Sequence, residues 1–587
     1  MTAIRSRLSL PSLFFLLALI LAAPARAGQA ESYTFFEGTQ YPLTVYFLRG
    51  DKPGPTVMVQ GGIQGDESCG YITAQVLARS TVLKGNLIVV PRANVPSVNV
   101  RKRQVNVDLN RRFDRDYNQF YEDRLARAIR HLLAQSDAFI HLHEGSGFYD
   151  PVRVDENRNP NRWGQSVIVD ALVYGGRVDM AGLVKPALEE INASPLVQGD
   201  HHFNLFNTRT FEPDTPYLEM RKTLTCYALA QRGIPALAVE VSKSIKDIGL
   251  KVRQQMWATT VFLRRFGVEM QPMEVLPEDV TTYAQKSVVL ALNGQPLSRK
   301  TSVALSPAAR IEVTGAKDGG DPLSPVVSVF ASDRPGMNLL TTPRMALSPF
   351  DGLEVRSDGN RVGMVDMHWK GAWPEVSSDT PVFVCWLNNE VKFVKNGETL
   401  RAVRGDQLVL EGVWKSRKKE VLNFKGYVSG ISANKAQDAG AEIILDPENF
   451  MVRYVDKRSP GRWRCEVVRE TSGGGKARFY VDIVPRKIEA LELKDAGGRD
   501  LALPWTGDGR TLLAPGEYQL VGLKSNGSKD KISLTVNGRP VPWGSRFMVD
   551  AEHVAELTLR QTTTFEPLGA MSLAPGHFAV QDAPVLR

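Results

Sequence analysis

Cysteine is scarce in this chain. There are four among 587 residues, Cys69, Cys226, Cys385 and Cys465, and no two form a C-x-x-C pair. That excludes a disulfide-stapled scaffold and a thiolate metal cluster. The spacings allow a Cys69–Cys226 bond in one domain and a Cys385–Cys465 bond in another, with free buried thiols as the alternative. Histidine is rare too, eight in all. Beyond the N-terminus no apolar run is long enough to span a bilayer. No Lys/Arg run is dense enough to argue for nucleic acid. What is present, 43% hydrophobic and 23% charged residues, is ordinary for a soluble globular protein. The length suggests roughly four domains of about 150 residues.

The N-terminus differs from the rest. Arg5 and Arg7 precede the apolar run Leu13 to Ala23, and Ala25-Arg26-Ala27 supplies small residues at cleavage spacing. Residues 1–27 read as a secretory signal peptide cut after Ala27, which places the mature chain in the periplasm. Removing Arg5, Arg7 and Arg26 lowers the formal charge from +8 to +5. That mild basicity specifies no partner.

From about residue 30 to 270 short apolar runs alternate with helical stretches. Thr56 to Gly61, Leu87 to Pro91, Ala138 to His143 and Pro235 to Val241 suit strands covered on both faces. Leu125, Ile129, Leu132 and Leu133 recur at helical spacing, and a second helix is expected from about Lys246 to Phe266. The pattern is α/β with a mixed or parallel central sheet. After about Glu274 short strands alternate with turns, and Asn293-Gly294, Asn396-Gly397, Asn526-Gly527 and Asn537-Gly538 are expected hairpin dipeptides. These segments suggest all-β sandwich or barrel modules. The expected division is 28–275 for the α/β domain, 276–373, 374–485 (Ig-like) and 486–587 for three β modules, with two modules carrying long insertions as the alternative.

A zinc hydrolase site needs three protein ligands, an open position for water, a carboxylate base, and cations for the oxyanion and the substrate carboxylate. Gln64 and Glu67 are three apart after an apolar strand and a Gly-Gly turn, so entry into a helix would place both on one face. Glu67 offers an anionic oxygen and Gln64 a neutral amide oxygen, a harder and weaker donor than imidazole. The alternative makes Gln64 a turn residue in a metal-free relic. His141 and His143 share one face of a strand. His143, at the strand end, is the better ligand, with His141 deeper, and His201 and His202 are a reserve pair. Glu240 closes an apolar strand where ligands bind in α/β sheets and suits a general base. Glu144 is its rival, and a simple pair with Lys243 is its structural alternative. Arg101, Arg103, Asn110, Arg111 and Arg112 form a basic loop suited to a terminal carboxylate and an oxyanion.

Taken in order, Gly61-Gly62-Ile63-Gln64-Gly65-Asp66-Glu67, Asp108-Leu109-Asn110-Arg111, His141-Leu142-His143-Glu144-Gly145 and Ala238-Val239-Glu240 resemble carboxypeptidase A-like zinc metallopeptidases, with Gln at the usual first His. The Gln-x-x-Glu variant resembles the murein D,L-carboxypeptidases that determine helical cell shape, as do Leu142-His143-Glu144-Gly145-Ser146-Gly147-Phe148 and Arg162-Trp163-Gly164-Gln165-Ser166. The resemblance implies one Zn2+ on Gln64, Glu67 and His143, with Glu240 as base. It implies Asn110 and Arg111 as the carboxylate-binding pair and Arg103 at the oxyanion. It also implies removal of terminal meso-diaminopimelate from peptidoglycan tripeptides, leaving dipeptide, with β-rich accessory domains behind the catalytic one. A third β module departs from that pattern. No residue matches the substrate-side tyrosine of digestive carboxypeptidases, and none is assigned to diaminopimelate specificity.

Three alternatives compete: a succinylglutamate desuccinylase-like amidohydrolase, a catalytically silent wall-binding protein, and a general exported peptide carboxypeptidase. Trp369, Trp373 and Trp543 would either stack on sugars or pack cores. Muropeptides are the expected partners, with other wall or shape proteins as further candidates through the β modules.

Overall fold

The computed structural model describes residues 31–271, 280, 290–297, 302–306, 309–315, 325–332, 338–340, 343–345, 350–371, 381–414, 421–428, 437–459, 461–470 and 477–576. The expected signal peptide, Trp373, Pro374 and the tail after Gly576 lie outside the described residues. Among the described residues no helix is long and apolar enough to cross a membrane.

One mixed sheet carries the N-terminal region. Its strands are β1 (Glu31–Phe35), β2 (Leu43–Arg49), β3 (Lys52–Gln60), β4 (Val82–Val90), β5 (Ala138–Gly145), β6 (Ser166–Val169), β7 (Asn204–Asn207), β8 (Ala236–Ser242) and β9 (Glu269–Met270). The spatial order is β1-β2-β4-β3-β5-β8-β6-β7, with β9 beside β4. The central strands β4, β3, β5 and β8 run parallel, whereas β6 is antiparallel to β8.

Helices cover both faces, which is why the central strands are apolar almost throughout. Val57, Val59, Ile140, Leu142, Leu237 and Val239 pack with α1 (Ser68–Leu77), α4 (Met180–Asn192) and α6 (Ile248–Arg265). The alternate residues Met58, Ile88 and Phe139 face α3 (Tyr121–Leu133) and α5 (Leu224–Arg232). The short α2 (Val95–Val100) follows β4. The stripe Leu125, Ile129, Leu132 and Leu133 on α3 is fully buried. The helix expected from Lys246 starts at Ile248, where the Asp247 carboxylate accepts from the Leu250 amide at 3.0 Å.

Beyond the α/β region the chain is β-rich, with separate apolar cores within 290–369, 383–483 and 491–573. Asn293-Gly294 and Asn537-Gly538 do make two-residue hairpin turns with positive φ. The other two dipeptides do not. Asn396-Gly397 joins strands of different sheets, and the Asn396 side chain accepts from the Arg478 amide. Asn526 caps the Lys487 amide and donates to Pro485. In both, the asparagine amide serves a distant strand rather than its own turn. Trp369 and Trp543 are core residues, donating to the Phe350 and Ile532 carbonyls. All four cysteines are buried and free, so neither expected disulfide forms.

The β-rich regions dock on the α/β region through residues 35–41. Gln40 exchanges two hydrogen bonds with the Asn338 backbone. Gln407 donates to Gly38 O at 3.1 Å, and Tyr41 donates to Thr563 O at 2.9 Å. Phe565 inserts into the α3-side core against Phe35, with ring centroids 5.3 Å apart. Glu442 lies nearby, and burial pushes its carboxyl up to about 7 against the opposing pull of Lys531, Arg344 and Arg124.

Two outcomes follow from this docking. Phe565→Ala should lower stability by about 3–5 kcal/mol in denaturant unfolding; an unchanged midpoint would show the ring is not part of that core. Because the folded chain holds the Glu442 proton more tightly than an unfolded one, stability declines as pH rises from 4.5 to about 7. Glu442→Gln should therefore melt above wild type at about pH 8 and together with it at about pH 4. Parallel melting curves at both pH values would contradict this.

Candidate metal centre and active site

The parallel register of β5 and β8 sets Glu240 directly beside His143 at the carboxyl edge of the sheet. On β5, His141 and His143 follow Phe139 on the face toward α3, as period-two alternation requires. His141 is fully buried, its ring edge-on to His143 at 4.1 Å, and its Nε2 lies 3.2 Å from Gln60 Nε2. Burial drives its pKa well down, so it is a neutral packing neighbour of His143.

Gln64 and Glu67 do not sit on a helical face. α1 begins only at Ser68, and the two residues occupy the turn before it, closed by Glu67 N donating to Gln64 O at 3.3 Å. Gly62 (φ +60) lies close to the Arg92 backbone, and a Cβ on Gly65 would collide with the backbone at Ser97. Only glycine permits this path. Both side chains are buried, at 2% and 4% exposure.

Glu67 Oε2 lies 2.8 Å from His143 Nδ1. Burial opposes the imidazolium, but the adjacent Glu67 carboxylate outweighs it and raises the His143 pKa. Gln64 Oε1 accepts from Arg103 Nη1 at 2.9 Å, and Arg103 is held by Asp108 at 2.7 Å. Burial pushes the Glu240 carboxyl up to about 8, with His143 opposing and Glu67 reinforcing the shift. Its Oε2 is buried without a hydrogen-bond partner.

These donor types fit a divalent metal of intermediate hardness: the Glu67 carboxylate meets the His143 imidazole at 2.8 Å, and the Gln64 amide oxygen is bonded to Arg103, whose charge reaches both His143 and Glu240. Among the described residues no three His, Cys, Asp or Glu side chains are grouped to hold a metal ion. A cation in this space would also favour the charged form of Glu240.

The structure separates the alternatives. Glu144 is committed elsewhere: it forms a buried ion pair with Lys251 on α6 and accepts from the Cys69 amide at the start of α1. Lys243 pairs with Asp66 at 2.8 Å, not with Glu240. His201 is engaged by Gln254 at 2.9 Å, and His202 is exposed. In the basic loop, Arg112 pairs with Asp123 and stacks on Tyr117, and Arg101 donates to Asn360, so both have structural partners. Arg103 and Arg111 lie within electrostatic reach of one another, and burial lowers the Arg111 pKa. Asn110 Oδ1 accepts from the Leu224 amide, which orients its NH2 group.

Sequence reasoning missed Gln255 and Lys251. Gln255 Nε2 donates to the carbonyls of His143 and Val239, bridging the two strands directly behind the site. The available signal was a run of polar residues, Lys251, Gln254, Gln255 and Thr259, along an otherwise apolar helix; all four are buried.

A family model described as the catalytic region of carboxypeptidases controlling helical cell shape matches residues 44–283. No curated protein matches the chain. Among solved structures, the tripeptide-bound cell shape determinant Csd4 from Helicobacter pylori is similar at 22% identity and TM-score 0.44, covering 78% of this chain and all of that one. The meso-diaminopimelate-bound form of Helicobacter pylori Csd4, described as a D,L-carboxypeptidase, gives 23% identity and TM-score 0.44 over 73% of this chain and 97% of that one. A succinylglutamate desuccinylase/aspartoacylase from Rhodobacter sphaeroides gives 21% and TM-score 0.30 over 42% and 66%.

Lys251→Met should leave a buried unpaired carboxylate at Glu144 and cost about 3–5 kcal/mol, read as a lower denaturation midpoint. Adding Glu144→Gln should recover most of the loss. If Lys251→Met unfolds like wild type, the pair does not hold Glu144 in place.

Proposed function

We propose that this chain is a zinc D,L-carboxypeptidase, a reading supported by the match of residues 44–283 to the catalytic region of carboxypeptidases controlling helical cell shape. It removes terminal meso-diaminopimelate from peptidoglycan tripeptides in the periplasm and leaves dipeptide. The observation that carries this reading is Glu240: a buried carboxylate with a partnerless oxygen, set beside His143 across two parallel strands.

Gln64 Oε1, Glu67 and His143 Nδ1 would hold the zinc. When bound, it supplies a Lewis acid that polarises the scissile carbonyl and acidifies water. Arg111 and the Asn110 amide take the terminal carboxylate of the substrate, which fixes which peptide bond is presented. Arg103 is held by Asp108 and stands ready to donate to the developing oxyanion. Glu240 accepts the proton of the attacking water and returns it to the leaving amine, a role suited to a carboxyl whose pKa burial brings towards neutrality.

Digestion of purified muropeptides followed by mass spectrometry tests this. The zinc-loaded protein should release diaminopimelate from the tripeptide, and a chelator should stop it. Glu240→Gln should lower kcat by about 10²–10⁴-fold, whereas Glu144→Gln should leave the chemistry far less affected. An unchanged tripeptide from folded, zinc-supplemented protein would overturn the assignment.

A further inference from the structure

One hairpin of the β-rich region reaches the active-site loop. Strands β10 (Gly352–Ser357) and β11 (Asn360–Trp369) are joined by Asp358-Gly359, with φ +43 and +74. These are the left-handed conformations of a two-residue hairpin turn. Asp358 receives two parallel 2.8 Å hydrogen bonds from Arg92 Nε and Nη2, deep in the interface at 1% and 5% exposure. Gly359 lies so close to the end of α2 that a Cβ there would collide with Val98 O and the Arg101 side chain. On either side of the turn, Arg356 donates to Asn99 O at 3.2 Å and Asn360 accepts from Arg101.

The opposite side of the same segment holds the metal-binding turn. Gly65 N donates to Lys102 O and to Ser97 Oγ, both at 3.0 Å, and Ser97 Oγ donates to Lys102 O. Ala93 N and Asn94 N donate to the carbonyls of Gly61 and Gly62. Residues 98–102 are therefore a thin strap gripped by the hairpin tip on one side and by Gly65 on the other. Arg103, which donates to Gln64 Oε1, is the next residue along.

We propose that the Asp358–Gly359 turn is a positioning element of the active site. It fixes the strap at residues 98–102, and through it the placement of Arg103 and of the Gln64 side chain. The inference rests on the metallocarboxypeptidase reading above for what Arg103 and Gln64 do. Asp358 and Gly359 act through the strap, so they are positioning residues. The gain over a surface loop alone is rigidity: Arg103 is half-exposed, its guanidinium is bonded to Asp108 and Gln64, and the anchored strap fixes the backbone from which it reaches them.

The test uses the full-length protein with Gly359→Ala, which leaves every charge in place but sets a Cβ against Val98 O and the Arg101 side chain at a φ of +74 that itself disfavours alanine, so the hairpin tip must draw back from the strap. Three quantities are read: zinc affinity by chelator competition, kcat and KM on the tripeptide, and the melting temperature. The expected result is a folded variant whose zinc affinity and kcat both fall by about 10–100-fold, with KM changing less. Combined with Arg103→Ala, Gly359→Ala should lower kcat no further than Arg103→Ala does alone, since residues acting through one group are not additive. A variant with a lower melting temperature but wild-type zinc affinity and kcat would overturn the proposal. If the wild type releases no diaminopimelate, the functional reading fails, and the zinc affinities of the two proteins alone decide the role of the turn. Should Gly359→Ala not fold, Arg356→Ala removes the bond to Asn99 O. The same losses are expected from it, with Arg356→Lys restoring them, and wild-type values from Arg356→Ala would count against the turn.

Discussion

The site depends on one backbone constraint, the parallel pairing of β5 with β8 that aligns His143 with Glu240. Side chains alternate faces with a period of two, so a slip of one residue in β8 would turn Glu240 into the α6-side core and bring Val239 or Val241 to the metal side. Two features lock the register. Leu237 and Val239 belong to the α6-side core, and Gln255 bonds the His143 and Val239 carbonyls simultaneously. A single buried amide thus ties the strand of His143 to the strand of Glu240.

The electrostatics of the site are arranged around that alignment. Taking Glu67, His143 and Glu240 out of water costs free energy that the protein recovers only in part. Glu67 and His143 meet at 2.8 Å, while Glu240 is left with an unpartnered oxygen. His143, Lys243 and Arg103 only partly offset its burial, and Lys243 is itself paired with Asp66. A buried carboxylate with no cation of its own is expensive in a folded protein. A divalent cation would supply the counter-charge that Glu240 lacks.

Much of this was legible in the sequence where local chemistry carries the signal. Continuous apolar strands announced a sheet covered on both faces, and ligand-type residues at strand ends announced where a site would form. What was not legible depends on partners distant in the chain. Arg101 and Arg112 look like substrate clamps until Asn360 and Asp123 are seen to hold them. Glu144 rivals Glu240 as a base until Lys251, more than a hundred residues later, claims it. Gln64 and Glu67 suggested one helical face, but the glycines around them bend the chain into a turn instead. Asn-Gly dipeptides overstated their own turns because an asparagine amide can serve another strand equally well, whereas Asp358-Gly359 carries the same turn signal and was passed over.

The insertion of Phe565 among Phe35, Phe36 and His131 links the two extremes of the described chain. Contacts of such long sequence separation close late. A chain emerging from its N-terminus could lay down most of the α/β sheet while still lacking one aromatic ring of its core, leaving an apolar socket open beside α3. The last β region would then act as a timing device, because the core beside α3 is finished only after nearly the whole polypeptide has been made.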